Sequence, residues 1–136
     1  MKRVTGIGGI FFKAKDQKKL SEWYEKHLGL KPDPGAGVLL RWREMDDPGR
    51  VGMTVWSLFK DDTKYFDPSR APFMINYRVD DLDALLEALR AEGVEIDPKR
   101  ENYEYGRFAW IMDPEGNRIE LWEPPKDELN NSQSGE

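Results

Sequence analysis

Residues 113–125 read DPEGNRIELWEPP. Asp113 to Asn117 are turn formers in succession, and Arg118 to Trp122 then alternate as a strand does. Glu120 stands between Ile119 and Leu121, an acid inside an otherwise apolar strand. A carboxylate survives there only if its face is wet or if the charge has a partner. The stretch therefore predicts a two-faced sheet. Ile119 and Leu121 pack beneath helices, while Arg118, Glu120 and Trp122 point into a cleft.

The same parity runs upstream. In FMINYRV (73–79) it places Phe73, Ile75, Tyr77 and Val79 under a helix and Met74, Asn76 and Arg78 in the cleft. The helix follows at once, because DLDALLEALRAEGV sets Leu82, Leu85, Leu86 and Leu89 on one face. The first forty residues repeat this order. IGGIFFKAKD is an apolar strand, with Gly9, Phe11 and Lys13 on the cleft side. DQKKLSEWYEKHLGL then carries Leu20, Trp23, Tyr24, His27 and Leu28 at helical spacing, with Asp16 as N-cap and Gly29 as the closing residue. A shift of 65 residues lays Ile10 on Ile75, Lys13 on Arg78, Asp16 on Asp81 and Leu20 on Leu85. That period is too long for a solenoid and reads as two half-domains. Strands follow each helix, at about 38–44 and 51–60 in the first half, and 94–98, 106–112 and 118–123 in the second. The expected architecture is α+β: a strand, a helix and further strands, used twice in mostly antiparallel, curved sheets. A single domain spans 1–125, with module one at about 5–60, a linker at 61–72 and module two at about 73–124. Residues 126–136, with one apolar residue in eleven, read as a disordered tail.

Composition removes whole classes of function. The 136 residues include no cysteine, which excludes disulfides, iron–sulfur clusters, thiolate catalysis and cysteine zinc sites. A single histidine excludes any site needing two from one chain, and a Ser–His–Asp triad has no base in the cleft. A net charge of −5 offers no basic footprint for nucleic acid. No apolar run spans a bilayer, and the one after MKRV is too short for a secretory leader, so a cytoplasmic protein is expected. Five tryptophans in a chain this size thicken a core, line a pocket or cover an interface.

The doubled βαβββ plan, with VDDLDALLEALRAEGVEI and YGRFAWIMDPEGNRIELWEPP, resembles the vicinal oxygen chelate superfamily, which includes glyoxalase I, bleomycin-resistance proteins and extradiol dioxygenases. Its most specific part is D-P-[ED]-G-N-x-[IV]-E-L at 113–121, supported by WYEKHLGL and RVDDLDAL. The resemblance implies two modules that curl into a cleft and, in metal-dependent members, four ligands on the concave faces. Those four places fall on Gly9, on the acid-free strand VGMTVWSLFK, on Met74 and on Glu120. Only Glu120 matches. One carboxylate cannot hold a divalent cation alone, and a thioether suits Mg²⁺, Mn²⁺ or Zn²⁺ poorly. His27 belongs to the helix on the convex side and cannot complete the site. No metal or other cofactor is therefore expected; a divalent metal completed by other groups is the alternative.

The expected function is the binding of a small organic molecule in the cleft by a homodimer. The alternative is a metal-dependent or glutamate-based lyase, isomerase or dioxygenase, lactoylglutathione-lyase-like or dioxygenase-like. Glu120 is the catalytic candidate, and Phe11, Lys13, Met74, Asn76, Arg78, Arg118 and Trp122 are the ligand-binding candidates. Arg78, Arg118 or Arg107 would neutralise Glu120. NYEYGRFAW (102–110) supplies Tyr103, Tyr105, Phe108 and Trp110 in a loop feeding a strand, able to cover the cleft or simply to pack, and Tyr65 and Phe66 of the linker raise the choice of ligand enclosure or dimer contact. GIGG (6–9) precedes its strand and lacks a following Lys-Ser/Thr, so close backbone approach explains it better than phosphate binding. Trp56 and Trp122 also leave room for a partner-binding role.

Overall fold

Two apolar registers, one on each side of a single sheet, organise the molecule. The computed structural model describes residues 2–34 and 37–126; of the expected tail, all but Lys126 lies outside them. Among these residues the order is β1 (Val4–Ala14), α1 (Gln17–Leu28), β2 (Val38–Arg43), β3 (Val51–Lys60), β4 (Phe73–Val79), α2 (Leu82–Ala91), β5 (Ile96–Tyr103), β6 (Gly106–Met112) and β7 (Arg118–Glu123). The strands form one open mixed sheet in the order β2-β3-β1-β4-β7-β6-β5. The α+β class and the fold expected from the resemblance are those observed.

The internal repeat is visible in the ladders. β1 pairs in parallel with β3 as β4 does with β7, and the two pairs meet through the antiparallel β1–β4 ladder. In this arrangement Phe11, opposite Ser57, occupies the place that Asn76, opposite Glu120, holds in the second half.

Helix α2 covers one face. Leu82, Leu85 and Leu86 pack on Val79, Ala109 and Leu121, with Tyr77, Ile111 and Ile119 around them. Asp81 caps this helix through the Ala84 N–H, and the Glu123 carboxylate accepts from the Leu82 N–H. Helix α1 is capped by Asp16 and closed by the left-handed Gly29. It buries no residue fully and touches the sheet through Tyr24, 4.6 Å from the Trp56 ring, and through Gln17, whose amide donates to the Leu58 carbonyl at 3.0 Å. His27 lies against Trp23, itself half exposed, on this helix.

The opposite face carries a second cluster of Phe11, Phe66, Met74 and Trp110, ringed by Val55, Phe59, Tyr65 and Phe108. Two expectations change here. The strand read at 94–98 runs over Ile96–Tyr103, so the loop expected before the 106–112 strand shortens to the turn of the β5–β6 hairpin, while the 106–112 strand itself is the one expected. Tyr103 at the end of β5 stacks on Tyr105 of the turn at 5.0 Å, just before the positive-φ Gly106 that opens β6.

Candidate functional site

Glu120 sits at the centre of β7 and is 2% exposed. Its direct partners on the two neighbouring strands are Asn76 of β4 and Trp110 of β6. Register partners share a face, so both side chains reach the same carboxylate. Asn76 Nδ2 donates to Oε1 at 2.6 Å and Trp110 Nε1 donates to Oε2 at 3.0 Å. The third donor comes from the connection between the halves, where the Tyr65 hydroxyl donates to Oε2. Tyr65 is aimed by packing: its ring stacks on Phe59 at 5.5 Å and meets Trp110 edge-on at 6.3 Å.

Three neutral donors thus hydrogen-bond the acid, and the Arg118 guanidinium acts on it by its charge alone. Burial pushes the Glu120 carboxyl above its ordinary range, while Tyr65, Asn76 and Trp110 pull the other way. Tyr65 is driven up as well, first by burial and then by the negative charge beside it.

Of the arginines expected to neutralise Glu120, Arg118 acts on it by charge, while among the described residues none hydrogen-bonds it, because their closer contacts lie elsewhere. Arg118 pairs with Asp97 at 2.8 Å and lies over the Trp110 ring at 5.2 Å. Arg107 reaches Asp83 at 3.1 Å. Arg78 is 3% exposed, its guanidinium 5.2 Å from the Trp42 ring and 5.0 Å from the Trp122 ring.

Above Glu120 lies a cavity of about 350 Å³. Glu120 and Asn76 are its polar floor, and Phe11, Tyr65, Phe108 and Trp122 are its walls, with Glu101, Tyr103 and Tyr105 also lining it. Trp122 and Phe108 stack at 6.0 Å with planes 4° apart, and the Trp122 N–H is held by the Tyr105 carbonyl. Of the candidate residues, Glu120, Phe11, Asn76 and Trp122 reach this cavity. Lys13 lies 5.5 Å over the Phe66 ring, and Met74 is buried in the cluster beneath. Tyr65 and Trp110 hold the acid, a role the sequence reading did not assign to either. The register partner of Glu120 was the signal that could have found Trp110.

The glycine run serves close approach. A Cβ at Gly8 would meet Asn76 Oδ1 at 2.2 Å and Trp122 Cε3 at 2.9 Å. At Gly9 a Cβ would meet Phe11 Cζ at 2.7 Å.

These residues do not fit the divalent cation that the resemblance implies. At Gly9 the space of a ligating side chain is filled by Phe11, Met74 is buried among rings, and both Glu120 oxygens face hydrogen-bond donors. Among the described residues no three His, Cys, Asp or Glu side chains come together as a metal site.

The model of the Glyoxalase/Bleomycin resistance protein/Dioxygenase superfamily matches residues 6–121. The chain belongs to this superfamily. Solved glyoxalase-superfamily structures of similar fold include methylmalonyl-CoA epimerase from Mycobacterium tuberculosis. It is 24% identical at a TM-score of 0.59, with 96% of this chain and 95% of that one covered. A Streptomyces coelicolor methylmalonyl-CoA epimerase variant in complex with 2-nitronate-propionyl-CoA is 19% identical at a TM-score of 0.63, covering 90% and 96%. The Mn(II)-bound glyoxalase from Novosphingobium aromaticivorans is 21% identical at a TM-score of 0.56, covering 90% of this chain and 40% of that one. At these identities the likeness is one of fold. No curated protein matches the sequence.

Proposed function

We propose that this glyoxalase-superfamily protein binds a small aromatic molecule in the cleft above Glu120, without a divalent metal. The observation that carries this reading is the cavity itself, walled by stacked rings and floored by an acid held in place by neutral donors. Its volume, about 350 Å³, falls within the roughly 300–1,000 Å³ of small-molecule sites. Flat walls favour a flat ligand, because offset stacking rewards ring against ring. Phe11, Asn76 and Trp122 make the contacts, and Glu120 sets the polar anchor.

Binding is favoured over turnover by the state of the acid. A general base must reach the proton it takes, whereas Glu120 is 2% exposed and its oxygens already accept from three donors. A metal-dependent lyase or dioxygenase would need ligands that the described residues of the cleft do not assemble.

A thermal-shift screen of one- and two-ring aromatic compounds tests the reading, with tryptophan fluorescence as a second readout. A ligand at one hundred times its Kd should add about 2.7 kcal/mol of stability. If no compound of any charge shifts the melting temperature or the emission, the binding reading fails. Incubation with Mg²⁺, Mn²⁺ or Zn²⁺ followed by desalting should leave far less than one metal per chain. A full equivalent retained, and lost with Glu120→Ala, would restore the metal enzyme.

A further inference from the structure

The cleft crosses the middle of the sheet. Strand order puts its floor on β4 and β7, with Phe11 of β1 and Val55 of β3 to one side and Phe108 of β6 and Glu101 of β5 to the other. Trp122 is already stacked between Arg78 and Phe108. The apolar surface left open is therefore that of Val55, Tyr65 and Phe108, each only partly covered.

The donors of the floor are all engaged. Asn76 Nδ2, Trp110 Nε1 and the Tyr65 hydroxyl point at Glu120, and Trp122 Nε1 points at the Tyr105 carbonyl. Asn76 Oδ1 is buried over Gly8 and closed to a ligand. Charge is matched in the same way. Two carboxylates, and no lysine, arginine or histidine, are among the described residues lining the cavity. Glu101 pairs with Lys99 at 3.3 Å, and Glu120 feels the charge of Arg118. A ligand cation thus finds each acid already matched. A ligand anion finds two like charges and no donor left on the floor. Either ion must give up its water with nothing to replace it. An uncharged ring pays no such penalty and gains from burial against the walls.

We infer that the cleft selects uncharged planar aromatic molecules, seated against Val55, Tyr65 and Phe108, and rejects the same rings when they carry either a cationic or an anionic group. Resting on the binding reading above, this adds the chemical class of the ligand.

Three two-ring compounds of one skeleton test this on the full chain by titration calorimetry at neutral pH: 2-acetylnaphthalene, 2-naphthamidine and 2-naphthoate. The ketone should bind about tenfold more tightly than either ion, or better still. Val55→Gln puts an uncharged amide into the cavity wall and should weaken the ketone by about fivefold or more in a chain shown to be folded by circular dichroism. Phe108→Ser carries the same expectation if Val55→Gln does not fold. Trp23→Ala, on the exposed face of α1, should leave ketone affinity within about twofold, since Trp23 is outside the cavity. If the amidine or the carboxylate binds as tightly as the ketone, the charge selectivity is wrong and the binding reading stands. If the folded wall variant binds the ketone as the parent does, the ligand sits elsewhere and the inference is overturned. If none of the three binds and the wider aromatic screen is also empty, both readings fall.

Discussion

Glu120 is a buried acid held by three neutral hydrogen-bond donors, with Arg118 adding only its charge, and its ionisation is linked to folding. Burial raises its carboxyl above the ordinary range. Below that range both the folded and the unfolded chain carry the proton, and the group costs nothing. As pH rises, the unfolded chain ionises first, so the stabilising contribution is lost through the interval up to the folded value. Glu120→Gln removes this dependence. The melting temperature of the variant relative to the parent should therefore climb as pH rises above the ordinary carboxylate range. Asp46, Asp83, Glu92, Asp97 and Asp113 are all held low by their partners and act in the opposite sense, but they are common to both proteins and cancel. A pH-independent difference in thermal melts would show that the acid is not perturbed by burial. Arg78 is the second residue whose chemistry is set by its neighbours. A planar guanidinium between two indoles is not replaceable by a compact ammonium. Arg78→Lys should cost about 1–2 kcal/mol in urea denaturation, as expected for desolvated cation–π contacts, and should shift tryptophan emission.

At the scale of elements, the two helices are alike in sequence and unlike in energetic weight. Both begin with an aspartate N-cap. Helix α2 buries Leu82, Leu85 and Leu86, whereas α1 buries none of its residues fully. Leu85→Ala should cost about 2–5 kcal/mol. Its counterpart in the repeat, Leu20→Ala, should cost markedly less, because Leu20 is only partly covered. Denaturant midpoints for the two variants measure this directly. Equal losses would mean that α1 is covered in solution by something beyond the single chain. Between the elements, one train of flat groups runs from β2 through β4 and β7 to β6, as Trp42, Arg78, Trp122 and Phe108. It ties the cleft wall to the far half of the sheet, so disturbing Arg78 should also weaken ligand binding.

The whole molecule is an open sheet whose outer strands, β2 and β5, leave unpaired backbone edges. We infer a homodimer that covers one of them. Light scattering should give twice the 15.8 kDa of the chain, with a melting temperature that rises with concentration. A monomer at every concentration would exclude it. Much of this architecture was legible in the chain because it depends on local periodicity. Leucines at helical spacing, caps at Asp16 and Asp81, and period-two alternation in 73–79 and 118–122 each report on a few neighbouring residues. Alternation assigns a face, so Glu120 was placed with Asn76 and Trp122 from sequence alone. The strand at 106–112 was legible, but the loop expected before it proved to be a short turn, because Tyr103 already pairs with Gly106 in the β5–β6 ladder. The partners of the acid were beyond reach for another reason. Tyr65 lies 55 residues from Glu120 in the chain, and Trp110 meets it through a strand register that the packed sheet sets. Arginines reach far and settle where geometry offers a carboxylate or a ring, and only the folded chain specified Asp97, Asp83 and the two indoles. Sequence by itself determined which face each residue occupies, since that follows from the pleat. Tertiary structure alone decided which donors meet which acceptors, since hydrogen bonds are short and their partners come from distant segments.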